Sequence, residues 1–257
     1  MQLGLNDLGL NNGQVFSPAA FFSASEQGAW YDPSDLSSMF QESTGVTPAV
    51  VGQPVGLILD KSGRGNHATQ ATAAARPTLR QAAGGQYYLE FDGVDDSLVG
   101  ALPSGDYIYH TLGSAAAMRS VADDFKQLVA LGNIGNATPR LRNYPISSLW
   151  NTLMTNDAGS SASLESVTAA DTSAHVHLHN SGASSRRYRV DSVVATAAAA
   201  SGAMTINAIG LGAKLDGGAG DYGQLNLYQT VLVAAVITSA QEASLAAYLA
   251  VKGGVTL

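Results

Sequence analysis

Along most of the chain, apolar residues come in short runs broken by clusters of Gly, Ser, Asn and Asp. Val55-Gly56-Leu57-Ile58-Leu59-Asp60 is one such run, stopped by Lys61-Ser62-Gly63-Arg64-Gly65, and Tyr87 to Phe91 is another. The same signature recurs at Tyr107–Leu112, Gln127–Leu131, Ser148–Met154, Ala174–His179, Arg186–Val190, Met204–Leu211 and Gly223–Val236. Short strands between turn clusters predict an all-β sandwich or barrel rather than alternating β/α units. The alanine pieces Ala73–Ala75 and Ala197–Ala200 read as connectors or strand ends.

Helical spacing stands out at the C-terminus. Thr238-Ser239-Ala240-Gln241-Glu242 offers a capping box, Thr238 with Gln241 or Ser239 with Glu242. Leu245, Tyr248 and Leu249 then fall on one face, and Gly253 and Gly254 supply left-handed caps. Near the other end, Asp32 before Pro33 predicts a short helix reaching about Phe40. Residues 1–48 are expected to be an N-terminal arm with that short helix, and residues 49–257 the β domain.

Composition narrows the classes. Of the 257 residues, 46% are apolar, but 41 are alanine, so large core-formers are scarcer than that fraction suggests. The net charge of −7, with only 13% charged residues, lacks the basic field of a nucleic-acid binder. With no cysteine there is no disulfide framework. The start, MQLGLNDLGL, lacks the basic and apolar blocks of a secretory signal. The longest purely apolar run, Val231 to Ile237, is far short of the roughly 20 residues that span a bilayer, so no membrane insertion is expected.

Three segments occur in a telling order: LDKSGRGNHA at Leu59–Ala68, LEFDGVDD at Leu89–Asp96, and GQLNLY at Gly223–Tyr228 leading into the capped helix. Together they resemble the concanavalin A-like (laminin G-like) jelly-roll family, whose pattern is D-x-S-G-x-G-N-H-A, then F-D-G-x-D-D, then a penultimate G-x-L-x-x-L-x-x-Y strand and a closing helix. The tyrosine of the third segment comes early. The upstream GAWYDPSDLSSMFQ and VGQPVGLILDKSGRGNHATQ look like the version found in phage and prophage virion proteins. The resemblance implies a two-sheet antiparallel jelly-roll sandwich with an N-terminal arm and a short C-terminal helix.

Glu90, Asp92, Asp95 and Asp96 place four carboxylates in seven residues. Glycoside hydrolysis needs two carboxylates flanking the bond. The laminarinase-type enzymes on this jelly roll carry E-x-D-x-x-E, but here the position three beyond Asp92 is Asp95, past Gly93. The stretch instead reads as a structural turn: Phe91 points inward, Gly93 permits the bend, and Asp95 and Asp96 cap it. Calcium at the rim, as in some laminin G-like domains, is an alternative. Asp60, Asp92, Asp95, Asp96, Asp216 and Asp221 would be the oxygen donors.

In Ala174-His175-Val176-His177-Leu178-His179 the alternation puts His175, His177 and His179 on one strand face. That face is expected to be solvated, with metal ligation or a sugar- or subunit-contacting concave sheet as alternatives. Arg186-Arg187-Tyr188-Arg189 is expected to pair with acids or face a neighbour. The nucleophile elbow, the phosphate loop and H-E-x-x-H are missing.

The combined expectation is a non-enzymatic virion protein on the exterior of a bacteriophage particle, made in the host cytoplasm and oligomeric. It would be sited on the tail fibre or tail tip and held to other virion proteins through the arm. Its jelly roll would bind a bacterial surface glycan, with no cofactor required. Trp150, Tyr107, Tyr109, Tyr144 and Tyr188 are the candidate stacking rings, alongside His175, His177 and His179. A capsid decoration protein and a glycoside hydrolase on the same fold are the alternatives.

Overall fold

The computed structural model describes residues 10–11, 14–121, 126–134, 141–199, 202–213, 215 and 221–257. The strands in chain order are β1 (Leu10–Asn11), β2 (Gln14–Val15), β3 (Gly28–Tyr31), β4 (Met39–Phe40), β5 (Leu57–Ile58), β6 (Ala68–Thr69), β7 (Thr78–Gln81), β8 (Tyr87–Asp92), β9 (Leu98–Asp106) and β10 (His110–Met118). They continue with β11 (Val129–Gly132), β12 (Leu141–Ile146), β13 (Leu149–Thr155), β14 (Ser161–Ala169), β15 (Ala174–Ser181), β16 (Ser185–Val190), β17 (Val193–Ala198), β18 (Thr205–Leu211) and β19 (Gln224–Val233). One α-helix, α1 (Ser239–Gly253), follows.

Two antiparallel sheets form the sandwich. The first runs β17-β16-β15-β10-β19-β8-β7, with β3 also on β19, and the second runs β14-β13-β12-β11-β18-β9-β6-β5-β4. Leu89, Phe91, Leu112 and Leu227 of the first sheet meet Leu98, Val129, Leu141 and Ile209 of the second in one buried core. A second cluster covers the outer face of the first sheet. There Leu245, Ala246 and Leu249 of α1 lie over Val176, Leu178 and Val231, beside Phe21 and Phe22 of the 3-10 turn Pro18–Phe22. The helix begins with the Thr238–Gln241 capping box rather than Ser239–Glu242, and its left-handed cap is Gly254 alone. No described helix is long and apolar enough to cross a membrane.

The N-terminal third departs from the sequence expectation. Residues 28–48 are woven into both sheets: β3 pairs with Thr230–Val233 of β19, and β4 pairs with β5. The expected helix from Asp32 to Phe40 is only a 3-10 turn, Leu36–Ser38, followed by strand. Asp32 does not cap a helix. Its Oδ1 accepts from Ser34 N at 3.0 Å and Ser34 Oγ at 2.6 Å, and its carboxylate holds Lys252 of α1 at 3.0 Å. Backbone pairing of Met39 and Phe40 with Ile58 and Leu57 then draws the chain into extended geometry, which overrides the local helix signal.

Glycine is required where the β18 turn passes the core. Gly212 has φ +76°, and a Cβ there would lie 2.3 Å from the nearest Phe91 ring carbon. Gly63 has φ +81° with nothing within 4 Å. Gly212→Ala is therefore expected to cost about 2 kcal/mol or more through combined clash and left-handed strain. Gly63→Ala should cost about 1 kcal/mol from strain alone. Urea unfolding midpoints of the two variants test the difference.

Candidate functional site

The acidic stretch is occupied by its own turn. Asp92 Oδ1 accepts from the amides of Val94 at 2.8 Å, Asp95 at 3.3 Å and Asp96 at 3.4 Å, and Asp96 Oδ2 accepts from Asp92 N at 3.0 Å. The capping acceptors are thus Asp92 and Asp96 rather than Asp95 and Asp96. Phe91 is fully buried, and Gly93 takes φ +81°. Ligand atoms of Asp92, Asp95 and Asp96 come within 4.8 Å of one another, but two of these three carboxylates are already engaged by amides. Burial first, and then the charges of Asp92, Asp95 and Glu90 against the pull of the Asp92 amide, raise the Asp96 carboxyl to about 6. Glu90 is held by Arg80 at 3.2 Å and Arg119 at 4.0 Å on the opposite face of β8 from Phe91.

Asp60, a candidate metal ligand, is instead a structural hub. Its Oδ1 accepts from Trp30 N at 2.9 Å and Ser62 N at 2.8 Å; its Oδ2 accepts from Ser62 Oγ at 2.7 Å and Asn66 N at 3.0 Å. Four donors fill the lone pairs that a cation would need. Asp221 faces Arg142 at 3.9 Å, and Asp216 lies outside the described residues.

The three histidines share a face as the alternation requires, but that face is the interior of the sandwich, so the solvated reading is corrected. Register pairs Leu112 with His179, Ser114 with His177 and Ala116 with His175, and Leu112 and Ala116 both belong to the core. The opposite face, Val176 and Leu178, lies under α1. The rings do not converge on a common point. His175 is bracketed by Asp191 at 2.6 Å and Asp171 at 3.0 Å, His177 Nδ1 meets Tyr188 OH at 3.0 Å, and His179 Nδ1 meets His110 Nε2 at 3.0 Å.

Tautomers follow from the partners. His110 Nδ1 faces the Tyr107 carbonyl at 2.7 Å, so it must donate, and His179 Nδ1–H then donates to His110 Nε2. That leaves His179 Nε2 a bare acceptor, buried without a partner, as is His177 Nε2. Sequence periodicity found the shared face. It missed His110, which is 65 residues upstream of His175 and joins the row only through strand pairing.

Of the five candidate rings, four are packed away. Trp150 and Tyr188 are fully buried, and Tyr107 and Tyr144 nearly so. Trp150 stacks edge-on to His177, with ring centres 4.6 Å apart, and so belongs to the interior row rather than to a sugar platform. Tyr109 alone is exposed, at 47%. It sits where the chain crosses from β9 in the second sheet to β10 in the first, at the end of the sandwich opposite the acidic turn. Directly beside it, Ile108 lines a cavity of about 120 Å³ shared with Met154, Asn156, Ser160, Ser161 and Arg186.

The buried histidines set a pH dependence. Burial lowers His110 to about 4 despite the Tyr107 hydrogen bond. Burial, aided by the His175 charge, lowers His177 to about 3, and burial, aided by the charges of His110 and Arg186, pushes His179 well down as well. Unfolded histidine titrates near 6.5. Between these values the unfolded chain binds more protons than the folded one, so stability is full above about 6.5 and is lost as pH falls toward 4. Two groups oppose this. Burial works against protonation of His175, but its bonds to Asp191 and Asp171 outweigh that and raise it; the raised Asp96 adds to the same sense. The three fully buried rings dominate. Each is expected to contribute about 1.4 kcal/mol per pH unit inside its window. Urea midpoints should therefore fall from pH 7 to pH 5, and His177→Gln should flatten the slope.

No family model matches the chain, and no curated protein matches it in sequence. Solved structures do share its fold. The sialidase of Trypanosoma rangeli in complex with sialic acid aligns with a TM-score of 0.62 at 13% identity, over 96% of this chain and 37% of that one. The ligand-binding domain of botulinum neurotoxin serotype D, in complex with N-acetylneuraminic acid, aligns at 0.59 and 8% identity, over 90% and 52%. The binding domain of Paraclostridial mosquitocidal protein 1 aligns at 0.55 and 11% identity, over 74% and 49%. The chain spans about half or less of these proteins, and at such identities what it shares with them is the jelly-roll sandwich.

Proposed function

We propose that this chain is a non-enzymatic glycan-binding module, carried as the adhesion domain of a bacteriophage virion protein of the tail fibre or tail tip. The observation that carries the binding reading is an open cavity at a loop end of the sandwich, lined by Asn156, Ser160, Ser161 and Arg186 together with Ile108 and Met154, with the exposed Tyr109 following Ile108 in the chain. Hydroxyl and amide groups on an open cavity can hydrogen-bond a sugar, and an exposed ring at the same end of the sandwich can stack on one. The botulinum neurotoxin domain of the same fold supports it, being a ligand-binding domain in complex with N-acetylneuraminic acid. Against hydrolysis stand the acids of β8: Glu90 is neutralised by two arginines, and Asp92 accepts three amides of its own turn.

The virion setting rests on the resemblance of the Gly28–Gln41 and Val51–Gln70 segments to phage proteins. Because β3 and β4 are committed to the sheets, attachment to other virion proteins falls to the chain before Gly28. The protein would then be made in the host cytoplasm and displayed on the particle exterior.

A glycan array with the purified chain, paired with a reducing-sugar release assay, tests the reading. Binding to a restricted set of bacterial surface glycans without release is expected, and Tyr109→Ala should weaken it about tenfold. Release of sugar that Glu90→Gln abolishes would make the chain a hydrolase. Labelling on the capsid lattice, with no signal on tails, would make it a decoration protein.

A further inference from the structure

Arg186 is a buried cation without an acid. It lies on the inward face of β16 with Tyr188 and Val190, opposite Ser181 of β15 and Ala197 of β17, and is 4% exposed. Its Nε donates to the Ala198 carbonyl and its Nη1 to the Ala162 carbonyl, each at 3.1 Å. Among the described residues these are its hydrogen bonds, and no carboxylate pairs with it. The other two arginines of the run are placed differently. Arg187 reaches Glu242 at 3.4 Å, and Arg189 turns back to the Asp191 carbonyl. Carbonyl dipoles solvate a guanidinium but do not neutralise it, and a buried charge without a counter-charge is costly.

The space beside Arg186 is the cavity that Ile108 also lines. Arg186, Ile108 and Met154 are its buried floor, while Ser160 and Ser161 on its rim are exposed, so the floor is open to solute. We infer that this cavity takes the carboxylate of an acidic sugar, with Arg186 as its counter-charge and the Asn156, Ser160 and Ser161 rim holding the ring. This deepens the glycan-binding reading and rests on it.

Size and chemistry agree. A volume of about 120 Å³ admits a carboxylate and the carbon that bears it, while whole-ligand pockets run to about 300 Å³ or more. The pyranose must therefore sit across the rim. A guanidinium presents a planar fork of donors matched to a carboxylate, and the low-dielectric floor strengthens that contact. The chain's net charge of −7 works against attracting an anion at long range. Recognition then depends on this buried contact, which salt screens weakly.

The test is calorimetric titration of the full chain with N-acetylneuraminic acid and D-glucuronic acid, each against its methyl ester. At least one free acid should bind about tenfold or more tightly than its ester, with little change between low and high salt. Arg186→Gln should erase that preference. Because Arg186 also ties Ala162 to Ala198, that variant is checked for folding by circular dichroism. Ser160→Asp serves as a second variant, placing a carboxylate on the rim, and it should abolish acid binding while leaving the fold intact. Equal binding of acid and ester, or a preference that survives both variants, overturns the carboxylate site and leaves the glycan-binding reading standing. Absence of binding by acids, esters and the neutral glycans of the array overturns both.

Discussion

The carboxylate of Asp60 is the constraint on which the first sheet depends. It collects four donors from Trp30, Ser62 and Asn66, so the loop after β5 and the strand β3 are held by one buried group. Asn66 extends the tie, donating from Nδ2 to the Gly28 carbonyl at 2.7 Å and accepting from Tyr31 OH at 2.6 Å. Arg64 adds contacts to the carbonyls of Phe22 and Glu26. What these bonds position is the edge of β19. That strand pairs with β8 only from Gln224 to Leu227, and its last four residues would present bare amides and carbonyls if β3 did not cover them. The D-x-S-G-x-G-N motif is therefore a clamp that completes a central strand, and a metal there would have to displace the bonds that build the sheet.

The interior is of two kinds. Around Phe91 and Leu227 it is aliphatic and aromatic; around β15 it is a polar row of His110, His175, His177 and His179 with Tyr188, faced by Trp150 of the other sheet. The row is tolerable because His110 Nδ1 donates to the Tyr107 carbonyl and His179 Nδ1 to His110, and because the two bare nitrogens, His177 Nε2 and His179 Nε2, need not carry protons; the Trp150 Nε1–H is buried without a partner among the described residues. A lone pair left without a donor is a smaller penalty than a buried N–H left without an acceptor. Protonation removes that option, so acid is expected to act on the whole sandwich rather than on its surface.

Much of the architecture was legible because the runs that form β8, β13, β15, β16, β18 and β19 are apolar, or alternate, over enough residues to show period two. The closing helix was legible from its caps. The missed strands have a common physical cause. β14 (Ser161–Ala169) and β17 (Val193–Ala198) are edge strands rich in Ser, Thr and Ala, and β9 carries Pro103 with two glycines, so their extended form comes from pairing rather than from side-chain pattern. Residues 28–48 read as an arm because the strand pairings that fix them, β3 with β19 and β4 with β5, are made with chain later in the sequence. Among site residues, alternation identified the shared histidine face but gave no sign of which side faced inward. Residue type drew attention to Trp150 and Tyr188, whose size makes them core residues first. Arg186 stood in a run expected to pair with acids or face a neighbour, and only the inward register of β16 sets it apart from Arg187 and Arg189.

The two ends of the sandwich differ in what their polar groups still need. At the acidic end, the carboxylates of Asp92 and Asp96 are spent on amides within four residues, and Glu90 nearby is spent on arginines. Such groups are poor at catalysis or ligation, since either task would first have to break a bond that shapes the turn or the sheet. At the other end, the Tyr109 ring is uncovered and the Arg186 charge is met only by carbonyl dipoles. Burial penalises a guanidinium that lacks a counter-charge, and among the described residues no carboxylate relieves that penalty. A ligand carboxylate would meet this need without disturbing a strand, because the residues that would receive it, apart from Arg186 and the floor, lie in turns and hairpin ends. The carboxylates that shape the acidic turn and the groups proposed to receive a ligand thus lie at opposite ends of the same two sheets.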